Sequence, residues 1–286
     1  MKKIFFLISI TILTIFILTI SGCKTMNDKI PEKTERPNDI RVKIKLPEEL
    51  TIPIDKDIVL VNSDTNKIVK VKPKQNEVKL KFVGGKSYIN DSMFDYTIFI
   101  FNRSNGYIKI NDSLFYGNIF VTPKESEIEV INILPVEKYL FSVVPSEMPL
   151  SFPLEALKAQ AVIARTYSYY FIAKYRDARN FDVDNTIMYQ VYNGFDFKSS
   201  KEDLQKLEKA LEETKNLIVT YDKKPILAYF HSNSGGKIRS GLDYFGKNSD
   251  FKYLVAKDDP YSLGEKNDKW TNTLAIDLFK KKLGIV

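Results

Sequence analysis

The chain contains one cysteine, one histidine and one tryptophan in 286 residues. A single cysteine excludes an intramolecular disulfide framework, so packing alone must hold the fold. One histidine and one cysteine cannot build a His/Cys metal cluster, and no zinc is expected. Asp182, Asp184 and Asn185 stand together but lack the spacing and the glycine of a calcium loop. No cofactor is called for. There is no G-x-S-x-G elbow for a serine nucleophile. No cluster of basic residues interleaved with aromatics stands out despite the net charge of +7, which argues against nucleic acid as a partner.

Long uncharged runs are also scarce. The one clear case, Ile4 to Ile20, follows Lys2 and Lys3 and ends at Ser21-Gly22-Cys23. Small residues directly before the only cysteine read as a bacterial lipoprotein signal, residues 1–22, with cleavage before Cys23 and lipidation of that residue. The expected location is extracytoplasmic, with the N-terminal lipid holding the protein to a bacterial membrane. Residues 23–39, polar and containing two prolines, read as a flexible tether. Without its first two lysines the chain keeps a charge of about +5, suited to anionic lipid or anionic wall polymer and equally to solubility.

The remainder reads as α+β: a β-rich N-terminal region over 40–100, then a helix-containing core over 101–286. Strict alternation of apolar and charged residues marks strands at 41–46, 67–72 and 77–82. Further strands are expected at 96–101, 106–110, 117–122 and 127–132. "PVEKYLFSVV", 135–144, reads as a short helix leading into a loop that carries Glu147. Ser151 is the expected N-cap of the next helix, which runs to about Tyr175 with Leu154, Leu157, Ala161, Ala164 and Ser168 as its packed stripe. Ser200 caps a helix over 200–215, 217–232 reads as a hairpin around Asp222-Lys223-Lys224, and a last amphipathic helix runs from about Leu274 to Leu283.

Glu147 draws attention because Val144, Pro145, Met148, Pro149 and Phe152 surround it with apolar groups, which work against a charged carboxylate. A helix N-terminus just downstream works for one. Two readings stand side by side: an acid with a chemical task, or a carboxylate that caps the next turn or pairs with Lys158. On the following helix, at 100° per residue, Lys158 and Arg165 share one face, and Gln160 and Tyr167 share a roughly opposite one. Both sets cannot line one small site. His231 and Ser232 are adjacent on a strand and point apart, so His231 does not activate Ser232. Gly235-Gly236 allows either close backbone approach to a substrate or a tight turn.

The run "VINILPVEKYLFSVVPSEMPLSFPLEALKAQAVIARTYSYY" resembles the core of the SpoIID/LytB family, and "YQVYNGF", "ILAYFHSNSGGKIRS" and "YFGKNSDFKYLVAKDD" with Trp270 fit the same family. The likeness covers about residues 100–275. It implies lytic transglycosylase activity on peptidoglycan glycan strands free of stem peptides, or else a non-catalytic peptidoglycan-binding role that stimulates a cell-wall amidase. By resemblance Glu147 is the essential acid. Lys158, Gln160, Arg165, Tyr167, Gln190, His231, Ser232, Ser234, Gly235 and Gly236 are substrate-binding or site-supporting positions. Where some relatives bind metal with Cys and His, this chain has Asp184, Met188 and Tyr189, so no metal is implied.

Overall fold

The computed structural model describes residues 38–45, 49–71, 76–186, 188–195, 199–246, 250–264, 271, 273 and 275–284. The signal, nearly all of the tether, Cys23 and Trp270 lie outside the described residues, as does Leu274. Among the described residues no helix is long and apolar enough to cross a membrane.

The chain is α+β, with its strands concentrated before residue 136 and its main helices after. Seven strands form the central sheet in the order Val183–Asp184, Asp39–Ile44, Ile128–Pro135, Asn118–Pro123, Ile98–Asn102, Ile58–Asn62 and Lys67–Ile68. All of these neighbours run antiparallel except Val183–Asp184, which lies parallel to Asp39–Ile44. A four-stranded antiparallel sheet, Glu49–Pro53, Glu77–Val83, Lys86–Ile89 and Ser92–Phe94, shares the same core. Residue 100 falls inside the strand Ile98–Asn102, and strands from both sides of it along the chain belong to the large sheet, with Asp39–Ile44 lying between Val183–Asp184 and Ile128–Pro135. Ladder hydrogen bonds form between strands whatever their separation along the chain.

The alternating segments form strands much as the side-chain period requires, although the one at 67–72 shrinks to Lys67–Ile68. The run "IVLVN" at 58–62 gave no alternation to read because both its faces are covered. Ile58, Leu60, Ile98 and Ile100 face the main core, while Val59, Val61, Phe99 and Phe101 form a second small cluster with Phe120. Arg41 also departs from the polar-out pattern. It is buried, pairs with Asp182 at 2.7 Å, and donates to the carbonyls of Tyr175 and Arg176 at 3.1 Å each. It thereby caps the end of a helix and ties that helix to the sheet.

Three helices carry the rest of the core: α1 (Val136–Glu147), α2 (Leu154–Tyr175) and α3 (Lys201–Glu213). The strand Ile128–Pro135 runs straight into α1, whose buried residues Val136, Tyr139, Leu140, Val143 and Val144 recur at helical spacing. The expected Glu147 loop is instead the last turn of α1, which accommodates Pro145. Ser146 Oγ donates to the Ser142 carbonyl and the Met148 N–H to that of Val144. Pro149 then forces Met148 into extended backbone and ends the helix. The expected Ser151 cap is likewise corrected: Pro153 is the N-cap, because the residue before a proline avoids helical angles and Phe152 closes a turn back to Pro149. Ser200 does cap α3, accepting from the Asp203 N–H at 3.1 Å. The hairpin at 217–232 is reduced to a pair of two-residue strands around Asp222-Lys223, both in the left-handed region.

Candidate active site

Glu147 is half-buried at the end of α1, beside a strap formed by residues 188–195. The strap is sewn to α1 at several points. The Val191 N–H donates to Glu147 Oε1 at 2.9 Å, and Ser142 Oγ donates to the Gly194 carbonyl. The ring of Tyr192 packs 5.2 Å from that of Tyr139, and its hydroxyl donates to Asn132 Oδ1 at 2.6 Å. Asn132 in turn donates to the carbonyls of Tyr116 and Asn118, so the strap rests on the sheet. Gly194 has φ 81°, and a Cβ there would stand 2.6 Å from the Leu114 carbonyl oxygen. Only glycine lets the strap pass so close.

Glu147 does not pair with Lys158. Lys158 bridges Glu155 at 2.7 Å and Glu213 at 2.5 Å, joining α2 to α3. Arg165, on the same face, is fully buried and holds Glu137 of α1, with further hydrogen bonds to the carbonyls of Leu211 and Leu217. These two residues bind the three helices to one another; neither hydrogen-bonds to the Glu147 carboxylate.

The other face of α2 belongs to the site. Tyr167 is buried against Phe171, and burial raises its phenol well above the usual tyrosine range, with Tyr189, Tyr229, Glu147 and Asp184 acting in the same direction. Gln160, seven residues earlier and hence on the same face, is buried with its Nε2 lacking any hydrogen-bond partner. Gln190 repeats the pattern from the strap. Its Oε1 accepts from the Tyr139 hydroxyl at 3.4 Å, while its Nε2 is buried and unpartnered. Burial also raises the Tyr139 phenol, helped by Tyr192, Tyr167, Glu147 and Asp184. Two neutral phenols and the orphaned Gln190 amide therefore gather near the Glu147 carboxylate, and the orphaned Gln160 amide lies on the same face of α2 as Tyr167. Buried donors without partners are costly, and an incoming hydroxyl or carbonyl oxygen removes the cost. Asp184, the second carboxylate whose charge reaches both phenols, has Oδ1 occupied by the backbone N–H and hydroxyl of Thr186.

The loop after Tyr229 forms its own cluster. His231 and Ser232 are exposed. Ser234 Oγ donates to Asp259 Oδ2 at 2.7 Å and lies 2.8 Å from Ser262 Oγ, which also donates to Asp259. The Ser262 and Ser234 hydroxyls hold the Asp259 carboxyl below its usual range. Gly235 and Gly236 have φ of 67° and 95°, and a Cβ on Gly236 would meet Leu263 at 2.7 Å, so the pair makes a tight turn against a packed neighbour. The partners missed in the sequence, Glu137 for Arg165, Tyr139 for Gln190 and Asp259 for Ser234, lie 25 to 51 residues away along the chain. No local signal marks such a pairing. Tyr139 alone had one, its place on the apolar stripe of α1.

The family model for stage II sporulation protein, SpoIID, matches residues 124–221, which include α1, α2, α3 and the strap. The match ends before the Ser/Gly loop. An uncharacterized protein of Brachyspira hyodysenteriae is 40% identical over 148 residues, covering 51% of this chain and 38% of that protein. Stage II sporulation protein D of Bacillus amyloliquefaciens is 34% identical over 187 residues, 57% of this chain and 52% of the relative. The amidase enhancer of Bacillus subtilis is 37% identical over 136 residues, 48% of this chain and 17% of its own length. The chain thus spans about half or less of the length of each of these relatives. With Glu147, Gln160, Tyr167 and Gln190 all inside the matched segment, residues 124–221 of this chain belong to the stage II sporulation protein family, SpoIID.

Proposed function

We propose that the protein is a peptidoglycan lytic transglycosylase, with Glu147 as its acid and base. The observation that carries this reading is the Glu147 carboxylate, half-buried beside the Tyr139 and Tyr167 phenols and next to the unpartnered Gln190 amide of the strap. Glu147 Oε1 is held by Val191 and its other oxygen has no hydrogen-bond partner among the described residues, while Asp184 accepts two hydrogen bonds from Thr186, two residues along its own chain segment. Hydrolysis of a glycosidic bond ordinarily uses two carboxylates. One suffices for an intramolecular transfer. Protonated Glu147 gives its proton to the glycosidic oxygen as the MurNAc–GlcNAc bond breaks. The carboxylate then takes the proton of the muramoyl 6-hydroxyl as that oxygen bonds to the anomeric carbon, closing a 1,6-anhydro ring. Proximity of the internal hydroxyl replaces the second carboxylate, and Glu147 ends protonated as it began. The Gln160 and Gln190 amides are suited to hold sugar oxygens. In this reading Cys23 carries a lipid and the reaction runs outside the cytoplasm, and the family resemblance points to strands free of stem peptides as substrate.

Glu147→Gln keeps the shape and the acceptor for Val191 but has no proton to give. The expected result is a fall in anhydromuramoyl product of about 10²- to 10⁴-fold. Products with reducing ends would instead indicate hydrolysis.

A second reading, glycan binding that stimulates a cell-wall amidase, is favoured by the likeness to the amidase enhancer. It requires wild type and Glu147→Gln to bind strands equally, neither cleaving them, with both raising amidase activity alike.

A further inference from the structure

Beyond the Glu147 site the molecule bears an exposed aromatic surface. Tyr229 stacks on Phe245 with ring centroids 5.2 Å apart, Phe245 lies 4.5 Å from Phe251, and Tyr244 meets Phe245 edge-on at 4.8 Å. Despite this mutual packing, Tyr244 is 68% exposed, Tyr229 48% and Phe245 41%. Rings that contact one another while facing water mark interaction sites more often than core.

One cation flanks these rings and a second lies near them. The Arg239 guanidinium stands 5.7 Å from the Tyr244 centroid. Lys174 lies 5.1 Å from the ring of Tyr175, and its charge reaches Tyr229. Neither has an acidic ion-pair partner among the described residues. The surface also borders the site: Lys174 stands 6.0 Å from the Phe171 ring, which packs 4.8 Å from that of Tyr167, and Tyr167 lies within electrostatic reach of both Tyr229 and Glu147.

The occupant follows from this chemistry. A pyranose with equatorial substituents has a flat face of C–H bonds that settles on an aromatic ring, its polarised hydrogens against the electron-rich face. Neighbouring cations then select a sugar carrying negative charge. In peptidoglycan that sugar is a muramoyl residue whose lactyl carboxylate is free, because a stem peptide would convert the carboxylate to an amide.

We infer that Tyr229, Tyr244 and Phe245, with Arg239 and Lys174, form an outlying subsite for a peptide-free muramoyl sugar, beyond the two sugars flanking the cleaved bond. This rests on the reading of the protein as one that acts on glycan strands. The subsite holds the strand while Glu147 works on a bond further along it.

The test uses the full-length protein carrying Glu147→Gln, so that binding is measured without cleavage. Its probes are peptide-free glycan strands and chito-oligosaccharides of equal length, which lack the lactyl group. Tyr244 is exposed, and neither its hydroxyl nor the Arg239 guanidinium is hydrogen-bonded or ion-paired to another described residue, so Tyr244→Ala and Arg239→Gln are expected to fold normally. Tyr244→Ala is expected to weaken binding of both probes by about fivefold. Arg239→Gln is expected to weaken binding of the muramoyl strands alone and erase their advantage over chito-oligosaccharide. If both variants bind both probes as the parent does, the subsite is overturned, whatever the cleavage assay gives. If the variants show these losses while the protein with native Glu147 cleaves nothing, the subsite stands and the transglycosylase reading falls.

Discussion

Arg165 grips Glu137 through two parallel hydrogen bonds, Nε to Oε1 at 2.8 Å and Nη2 to Oε2 at 2.9 Å, from a position fully shielded from solvent. Glu137 lies in the first turn of α1 and Glu147 in its last, so this clamp sets the helix that presents the acid. Arg165 thus supports the site through the backbone of α1.

Arg165 is buried but Glu137 is one-third exposed, so removing the arginine leaves a carboxylate that water reaches in part. Arg165→Ala is therefore expected to cost about 1–3 kcal/mol of stability in urea unfolding, through the lost charge-assisted hydrogen bonds. Arg165→Lys recovers only part of this, because an ammonium cannot reproduce the two-pronged contact. A loss below about 1 kcal/mol for Arg165→Ala would mean that the clamp does not hold the helices.

Gln160 makes the opposite prediction. Its Nε2 is buried without a partner, so Gln160→Leu removes an unsatisfied donor while nearly conserving volume. Stability is expected to stay level or rise by up to about 1 kcal/mol, while strand cleavage falls about tenfold or more. A stability loss accompanied by unchanged cleavage would make Gln160 a structural residue.

Lys158 is expected to be dispensable for chemistry. Its ammonium is engaged by Glu155 and Glu213, which together hold its pKa above the usual lysine value. Lys158→Met is expected to give a small loss of thermal stability that high salt erases, with cleavage kinetics unchanged. A fall in kcat at constant stability would place Lys158 in contact with substrate.

The buried phenols predict an alkaline limit. Tyr167 ionises well above an unfolded tyrosine, chiefly through burial. A group with its folded pKa raised contributes stability that is complete below the unfolded pKa of about 10 and is lost as pH rises beyond it. Tyr167→Phe should therefore unfold with a shallower loss of stability above about pH 10 than the parent. With 16 tyrosines in the chain, this single-residue comparison isolates the effect better than total phenolate absorbance. Equal slopes would show that Tyr167 ionises in the folded protein as it does when unfolded.

The strands with one wet face were legible because alternation records which side of a sheet meets water, and α1 and α2 were legible because apolar residues recur at helical spacing. The opposition of Lys158 and Arg165 to Gln160 and Tyr167 also follows from the helical repeat alone. Where both faces of an element are covered, the pattern loses its contrast, which is why Ile58–Asn62 escaped notice and why Arg41 looked like a solvent-facing residue. Helix ends were the other weak point: Pro145 and Ser151 suggested boundaries, but hydrogen bonds to Ser142 and Val144 and the turn at Pro149 moved them.

The sequence by itself determined that Glu147 stands alone as an acid in an apolar motif, and that only one face of α2 can look at it. Both are properties of residue type and local geometry. Only the tertiary structure decided which face that is, that Val191 holds Glu147, and that Gln160 and Gln190 carry buried donors with nothing to satisfy them. Those facts depend on where a strap some forty residues downstream crosses α1. Such a crossing is set by packing and hydrogen bonds between distant segments, for which a linear sequence keeps no local record.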